Sequence, residues 1–310
     1  MCETRLPEEG NRESDGGLAH RGGGTEGTQI RIKIQLRFIH FTSEGNSRNY
    51  ERNEFGRQPG ALGQERIQAA ERNPPSKMLR KNGIFYRKVT VEDSEALGEF
   101  MLTNLPKTSP ICQALGFKKE DYEAMYVPRI AESLPSNLSV LAIDEKSGEI
   151  VGYHLVSFFY RDPSKNPPKK LKKTKKAQII ASLSESLREE FWKMCPPEVN
   201  CVIRGETSCV RKDYQRKGIA GTFVVFIGLD PRCQDAKQVS GSISVSTSYS
   251  NQKLFEKVGF INMAEMSYKE LFETHGIPFE GAFKDETTKA ILQFLPMDKF
   301  LNGRGNAAKL

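Results

Sequence analysis

The order of apolar and polar residues divides the chain near residue 78. Before it, Gly, Arg, Glu, Asn and Ser dominate and bulky apolar residues are sparse. Residues 1–77 therefore bury too little surface to offset the entropy of ordering them, and are expected to be mostly disordered. One segment, 30–38, alternates strictly (Ile-Arg-Ile-Lys-Ile-Gln-Leu-Arg-Phe) and is strand-like, though it is expected to fluctuate rather than dock. From Ile84 onward, strand and helix periods alternate. Residues 84–91 predict a strand, and Thr90 with Asp93 predicts a cap for a helix carrying Leu97, Phe100 and Met101 on one face. A second helix falls within 119–134. Residues 139–143 and 150–158 pair as a hairpin across a Ser147-Gly148 turn. Ile180, Leu183, Leu187, Phe191 and Met194 recur at helical spacing and predict an amphipathic helix lying on the core. A strand then runs to Val210, 223–227 lies in a helix, 239–245 is a strand, and 248–258 is a helix stopped by Gly259. Residues 260–269 and 289–294 predict the closing strands of an α/β domain spanning 78–300, with a flexible tail at 301–310.

Composition narrows the class. A 37% hydrophobic content over 310 residues suffices for a sizeable core, and the longest apolar run, 222–229, is far short of the roughly 20 residues of a spanning helix. No membrane partner is expected. The six cysteines are scattered, and no CxxC, HxxxH or HExxH spacing occurs, which predicts reduced thiols in a cytoplasmic protein and no metal site. A net charge of +7 invites a nucleic-acid reading. However, the seven lysines of 165–176 account for the whole excess. That run lacks the interleaved aromatics used for stacking on single strands, so it is read as a solvated insertion loop.

The densest chemistry lies at 210–222, Val-Arg-Lys-Asp-Tyr-Gln-Arg-Lys-Gly-Ile-Ala-Gly-Thr. A strand enters a turn and a helix leaves it. The first N–H groups of a helix have no internal acceptor, and its dipole adds partial positive charge, so the turn suits a pyrophosphate. Gln215, Arg216, Lys217, Gly218, Ile219, Ala220, Gly221 and Thr222 are the candidate cradle, with Gly218 and Ala220 allowing close approach.

One strand later, 246–260 ends in Lys257, Gly259 and Phe260. With these two signatures in this order, the chain resembles the GNAT superfamily of acyl-CoA N-acyltransferases. Gln215, Gly218 and Ala220 match the first signature, and Lys257, Gly259 and Phe260 the second. Within the superfamily it is most similar to invertebrate arylalkylamine (dopamine-type) N-acetyltransferases, on Ser109-Pro110, Leu115-Gly116, Gly218-Ile-Ala220, 246–250 and 267–270. The resemblance covers 84–294. It implies the GNAT fold, a mixed and mostly antiparallel sheet splayed between its fourth and fifth strands and flanked by helices. It also implies acetyl-CoA as co-substrate, pairing with the backbone of Ser208, Cys209 and Val210, and a small arylalkylamine-like amine as acceptor.

Direct transfer needs a neutral amine, donors for an oxyanion and a proton for the departing thiolate. Backbone N–H groups near Cys209 and Val210 are the candidate oxyanion donors. Cys209 itself, with no His or Asp partner evident, reads as a buried strand residue. Two positions depart from the family pattern. Phe255 stands where many members carry an acidic tyrosine, and Ser109 stands where the insect-type enzymes carry a glutamate base. Ser246 and Ser250 keep the spacing of two serines in the arylalkylamine type. Ser250 is the candidate general acid, with Tyr249 second. The base would be His154 or a water chain ending on another carboxylate. Loops such as 106–115 and 272–283 are expected to build the amine pocket. Two further readings share the fold: a protein acetyltransferase acting on lysines or amino termini, and a non-catalytic acyl-CoA-binding module.

Overall fold

The structure is a computed structural model. It describes residues 78–166, 174–235 and 238–297, with the backbone of 32–34. The expectations for the rest of 1–77, for 301–310 and for most of the lysine run lie outside the described residues.

Strands β1 (Ile32–Ile34), β2 (Leu79–Lys81), β3 (Ile84–Lys88), β4 (Val140–Asp144), β5 (Ile150–Tyr160), β6 (Cys201–Val210), β7 (Gly241–Ser246), β8 (Ile261–Ser267) and β9 (Lys289–Pro296) form one sheet in the order β1-β8-β9-β7-β6-β5-β4-β3-β2. Ile32 pairs with Met266, so part of the alternating segment read as fluctuating takes an edge of the sheet. The helices are α1 (Ser94–Thr108), α2 (Pro110–Ala114), α3 (Lys119–Tyr126), α4 (Pro128–Ser133), α5 (Lys175–Met194), α6 (Ile219–Gly228), α7 (Tyr249–Val258) and α8 (Tyr268–Thr274). The first five and α8 cover one face through a core containing Leu97, Met101, Leu187 and Phe272. Helices α6 and α7 cover the other with Phe223 and Phe255.

Local chemistry explains most boundaries. The Asp93 carboxylate accepts the Thr90 N–H at 2.9 Å just ahead of α1. The helix expected within 119–134 is two helices, because Pro128 supplies no N–H to continue α3 but fits the first turn of α4. The strand expected over 260–269 ends at Ser267, whose hydroxyl accepts the Glu270 N–H at 3.5 Å and starts α8. Gly259 ends α7 at φ 107°, a left-handed conformation that favours glycine.

Every neighbouring pair is antiparallel except β6 and β7, which α6 joins by a crossover. These two pair only at Ile203 with Ser242 and Arg204 with Ile243. Beyond Arg204 they part, leaving that edge of β6 from Gly205 to Val210 without a strand partner among the described residues. Counted from Ile84 they are the fourth and fifth strands, where the splay is expected.

Candidate active site

The turn after β6 is built on two left-handed residues, Arg216 at φ 63° and Gly218 at φ 79°. The Gln215 amide donates to the Val210 carbonyl at 3.0 Å and braces it. Buried Ile219 and Phe223 fix α6 beneath. The backbone N–H groups of 216–221 have no acceptor among the described residues. Gln215, Arg216, Gly218, Ile219, Ala220 and Gly221 line a groove that continues past Ser208, Cys209 and Val210. Lys217 and Thr222 do not line it. The Lys217 ammonium sits 4.4 Å from the centre of the Tyr214 ring, and buried Thr222 donates to the Gly218 carbonyl at 3.0 Å.

A cavity of about 100 Å³ opens where β6 and β7 part. Thr108, Ser208, Ser248 and Asn251 line both cavity and groove, so the two meet at these residues. Ser109 and His154 line the cavity. Ser250 is exposed in the groove, its hydroxyl 3.4 Å from that of Ser248. Ser246 lines neither space. It is buried, and its hydroxyl donates to Gln293 Oε1 at 2.6 Å. Tyr249 also lines neither, and a hydrogen bond with Glu286 raises its phenol. Phe255 is buried with its ring 4.6 Å from that of Phe260. Of the two loops expected to shape the pocket, the first supplies Thr108, Ser109 and Pro110. The second packs inward, with Phe283 stacked on Tyr268 at 5.0 Å.

The cavity also holds charges that the sequence reading passed over. Leu155 faces Thr207 and Val156 faces Gly205, so Glu206 is the extra residue of a β-bulge, a device that re-aims a side chain. Its carboxylate is fully buried, accepting from Arg129 at 2.7 Å, from Arg204 Nε at 2.6 Å and from the Ser157 hydroxyl at 2.5 Å. Burial alone would raise the pKa of this group. The guanidiniums of Arg204, Arg188 and Arg129 outweigh that and hold it well below the usual carboxylate range, so Glu206 is no base. Burial pushes His154 down to about 4, so it stays neutral at pH 7. Burial likewise pushes the Cys209 thiol up to about 11, against a hydrogen bond shared with Thr108, which leaves no thiolate nucleophile. Signals for the missed residues were present: Arg204 and Glu206 interrupt a central strand, and Arg188 lies beside Leu187 on the apolar stripe of α5. Among the described residues no group of three or more His, Cys, Asp or Glu could hold a metal, and no helix is long and apolar enough to cross a membrane.

A mixed sheet opened between β6 and β7, with a phosphate-type turn at the opening, is the GNAT N-acetyltransferase fold, and the described residues adopt it. No protein-family model matches the sequence, and no curated protein matches it. Solved structures do. A protein assigned as arylalkylamine N-acetyltransferase 7 of the yellow fever mosquito Aedes aegypti is 18% identical over 69% of this chain and 88% of its own, with a TM-score of 0.57. Arylalkylamine N-acetyltransferase 2 of Aedes aegypti is 15% identical over 70% of this chain and 100% of its own, with a TM-score of 0.55. The carboxy-terminal condensation domain of Ebony, solved with β-alanyl-dopamine, is 14% identical over 69% of this chain and 98% of its own, with a TM-score of 0.51. At these identities the likeness is one of fold.

Proposed function

We propose that the protein is an acetyl-CoA-dependent N-acetyltransferase acting on a small-molecule amine. The observation that carries this reading is the run of six unaccepted N–H groups at 216–221, opening into a groove that meets a polar cavity at the parted strands. These donors and the dipole of α6 fit a pyrophosphate. The unpaired edge of β6 at Ser208, Cys209 and Val210 fits the amides of a pantetheine arm. When bound, acetyl-CoA supplies a thioester whose C–S bond is exchanged for the new C–N bond, one amine proton leaving to water and one proton reaching the thiolate.

The chain's own residues supply orientation and proton paths. Holding the amine in the cavity against the groove provides most of the acceleration. Ser248, at the junction, and Ser250, in hydrogen-bond contact with it, are the hydroxyls placed to deliver a proton. His154, kept neutral by burial, can accept a proton only in passing, and the amine is read as losing its own through water. An arylalkylamine is one acceptor this reading admits.

The test is release of free CoA from acetyl-CoA in the presence of arylalkylamines, polyamines, amino acids and lysine peptides. Turnover with a small amine is expected, and Ser248→Ala and Ser250→Ala should each lower kcat by about 100-fold while the acetyl-CoA dissociation constant stays within a factor of two. Tight acetyl-CoA binding without transfer to any acceptor would instead make the protein a binding module.

A further inference from the structure

We infer that the acceptor amine carries a carboxylate, which Arg188 receives inside the cavity. The inference rests on the N-acetyltransferase reading for the amine end of the acceptor. Arg188 is 6% exposed and lines the cavity. Among the described residues its guanidinium makes one hydrogen bond, from Nη2 to the Gly205 carbonyl at 3.4 Å. A buried guanidinium ordinarily has its donors matched. Arg87 Nε is the sealed side-chain nitrogen without a partner among the described residues, so the remaining donors of Arg188 are not sealed off and reach the cavity.

The surrounding charge favours an anion. Arg129 and Arg204 are committed to Glu206, and Arg188 stands beside that group without an ion pair of its own among the described residues. Burial and the neighbouring Arg204 and Arg129 push Arg188 down to about 9, with Glu206 and Glu185 opposing. At the cavity Arg129, Arg204 and Arg188 surround a single carboxylate, that of Glu206, so positive charge is in excess there. A carboxylate reduces that excess, and its two oxygens match the planar donors of a guanidinium. The same field repels a second cation, so it selects against polyamines.

Position agrees with charge. Ser208, Ser248, Thr108 and Asn251 are shared with the groove, whereas Arg188 and Ser184 belong to the cavity alone. An acceptor with its amine toward the shared residues and its carboxylate toward Arg188 spans the cavity. At roughly 100 Å³ the cavity is somewhat smaller than the ~150 Å³ that admits a benzene, which suits a short amino acid.

The experiment compares amino acids with their decarboxylated counterparts on the full chain: alanine with ethylamine, tyrosine with tyramine, arginine with agmatine. In at least one pair the amino acid should lead in kcat/KM by about 100-fold, the scale of a buried charged hydrogen bond. Arg188→Gln should remove that lead mainly through KM, Arg188→Lys should restore part of it, and acetyl-CoA affinity by calorimetry should stay within twofold in both. Amines equal to or better than amino acids would overturn the inference and leave the N-acetyltransferase reading intact. If no pair turns over, calorimetry with CoA present compares N-acetylalanine with N-ethylacetamide. Equal binding, or binding of neither, overturns the inference. Loss of acetyl-CoA binding in Arg188→Gln also overturns it, by assigning Arg188 to the scaffold.

Discussion

His154 sits on β5 opposite Ser208, with its ring 6.2 Å from that of Phe223, and burial is what lowers its pKa. Its folded-state value of about 4 lies below the ordinary 6.5, so the unfolded chain takes up a proton that the folded chain refuses. Stability is therefore unaffected by this group above pH 6.5 and is lost as pH falls from 6.5 to about 4, by up to about 3 kcal/mol. Urea unfolding at pH 7, 5.5 and 4.5 should show this loss, and His154→Gln should flatten the slope across the same window. An unchanged slope would mean that the imidazole is hydrated in the folded state. At this scale the sequence was uneven. Gly218 was legible, because a phosphate turn that ends in a helix needs a residue tolerant of left-handed φ. Ser248 and Asn251 were not, because only the parting of two strands decides which residues of 246–251 reach the junction. Ser246 has the family spacing, yet its hydroxyl is turned to Gln293 on β9.

Among the elements, β7 is held tightly against β9 at its first residue. A Cβ on Gly241 would lie 2.4 Å from a Phe294 ring carbon and 2.5 Å from the Leu295 carbonyl, so β7 and β9 would have to separate. Gly241→Ala should destabilise the fold by about 1–3 kcal/mol, measured by equilibrium unfolding, with a similar loss absent in Gly98→Ala, where a Cβ would meet Val127 Cγ1 at an ordinary 3.9 Å. That glycine looked like an ordinary strand residue in sequence, since the Phe294 ring comes from a strand 53 positions later. Long periodic elements were legible throughout: the 3.6-residue spacing of Ile180, Leu183, Leu187 and Phe191 became α5. Short ones were not. Helix α2 has five residues and α8 has seven, and neither carries a full hydrophobic period to read.

For the molecule as a whole, the proposed co-substrate is expected to bridge the two halves of the splayed sheet, touching β6, the turn before α6 and the start of α7. Saturation at a hundredfold excess over the dissociation constant should add about 2.7 kcal/mol of stability. In a domain of this size that raises Tm by about 5–10 °C. Gly218→Val should abolish the rise, because a β-branched residue is strained at φ 79° and its side chain enters the groove. A variant that still shows the full rise would remove the turn from the binding site. The overall architecture was largely legible because two signatures flank one strand, and that order fixes a strand, a crossover helix and a parallel neighbour. The parting itself was expected only through the family resemblance.

By itself the sequence determined where the long strands and helices lie, which turn has the chemistry to suit a phosphate and that Phe255 and Ser109 are unsuited to the acid and base roles. Those are local properties, written in period, in backbone tolerance and in the chemistry of a single side chain. The tertiary structure alone decided that Arg129, Arg188 and Glu206 share one cavity, with Arg204 paired to Glu206, and that Ser248 rather than Ser246 stands at its mouth. Arg129 and Glu206 lie 77 positions apart, and a bulge and a splay, not any spacing along the chain, bring these residues together.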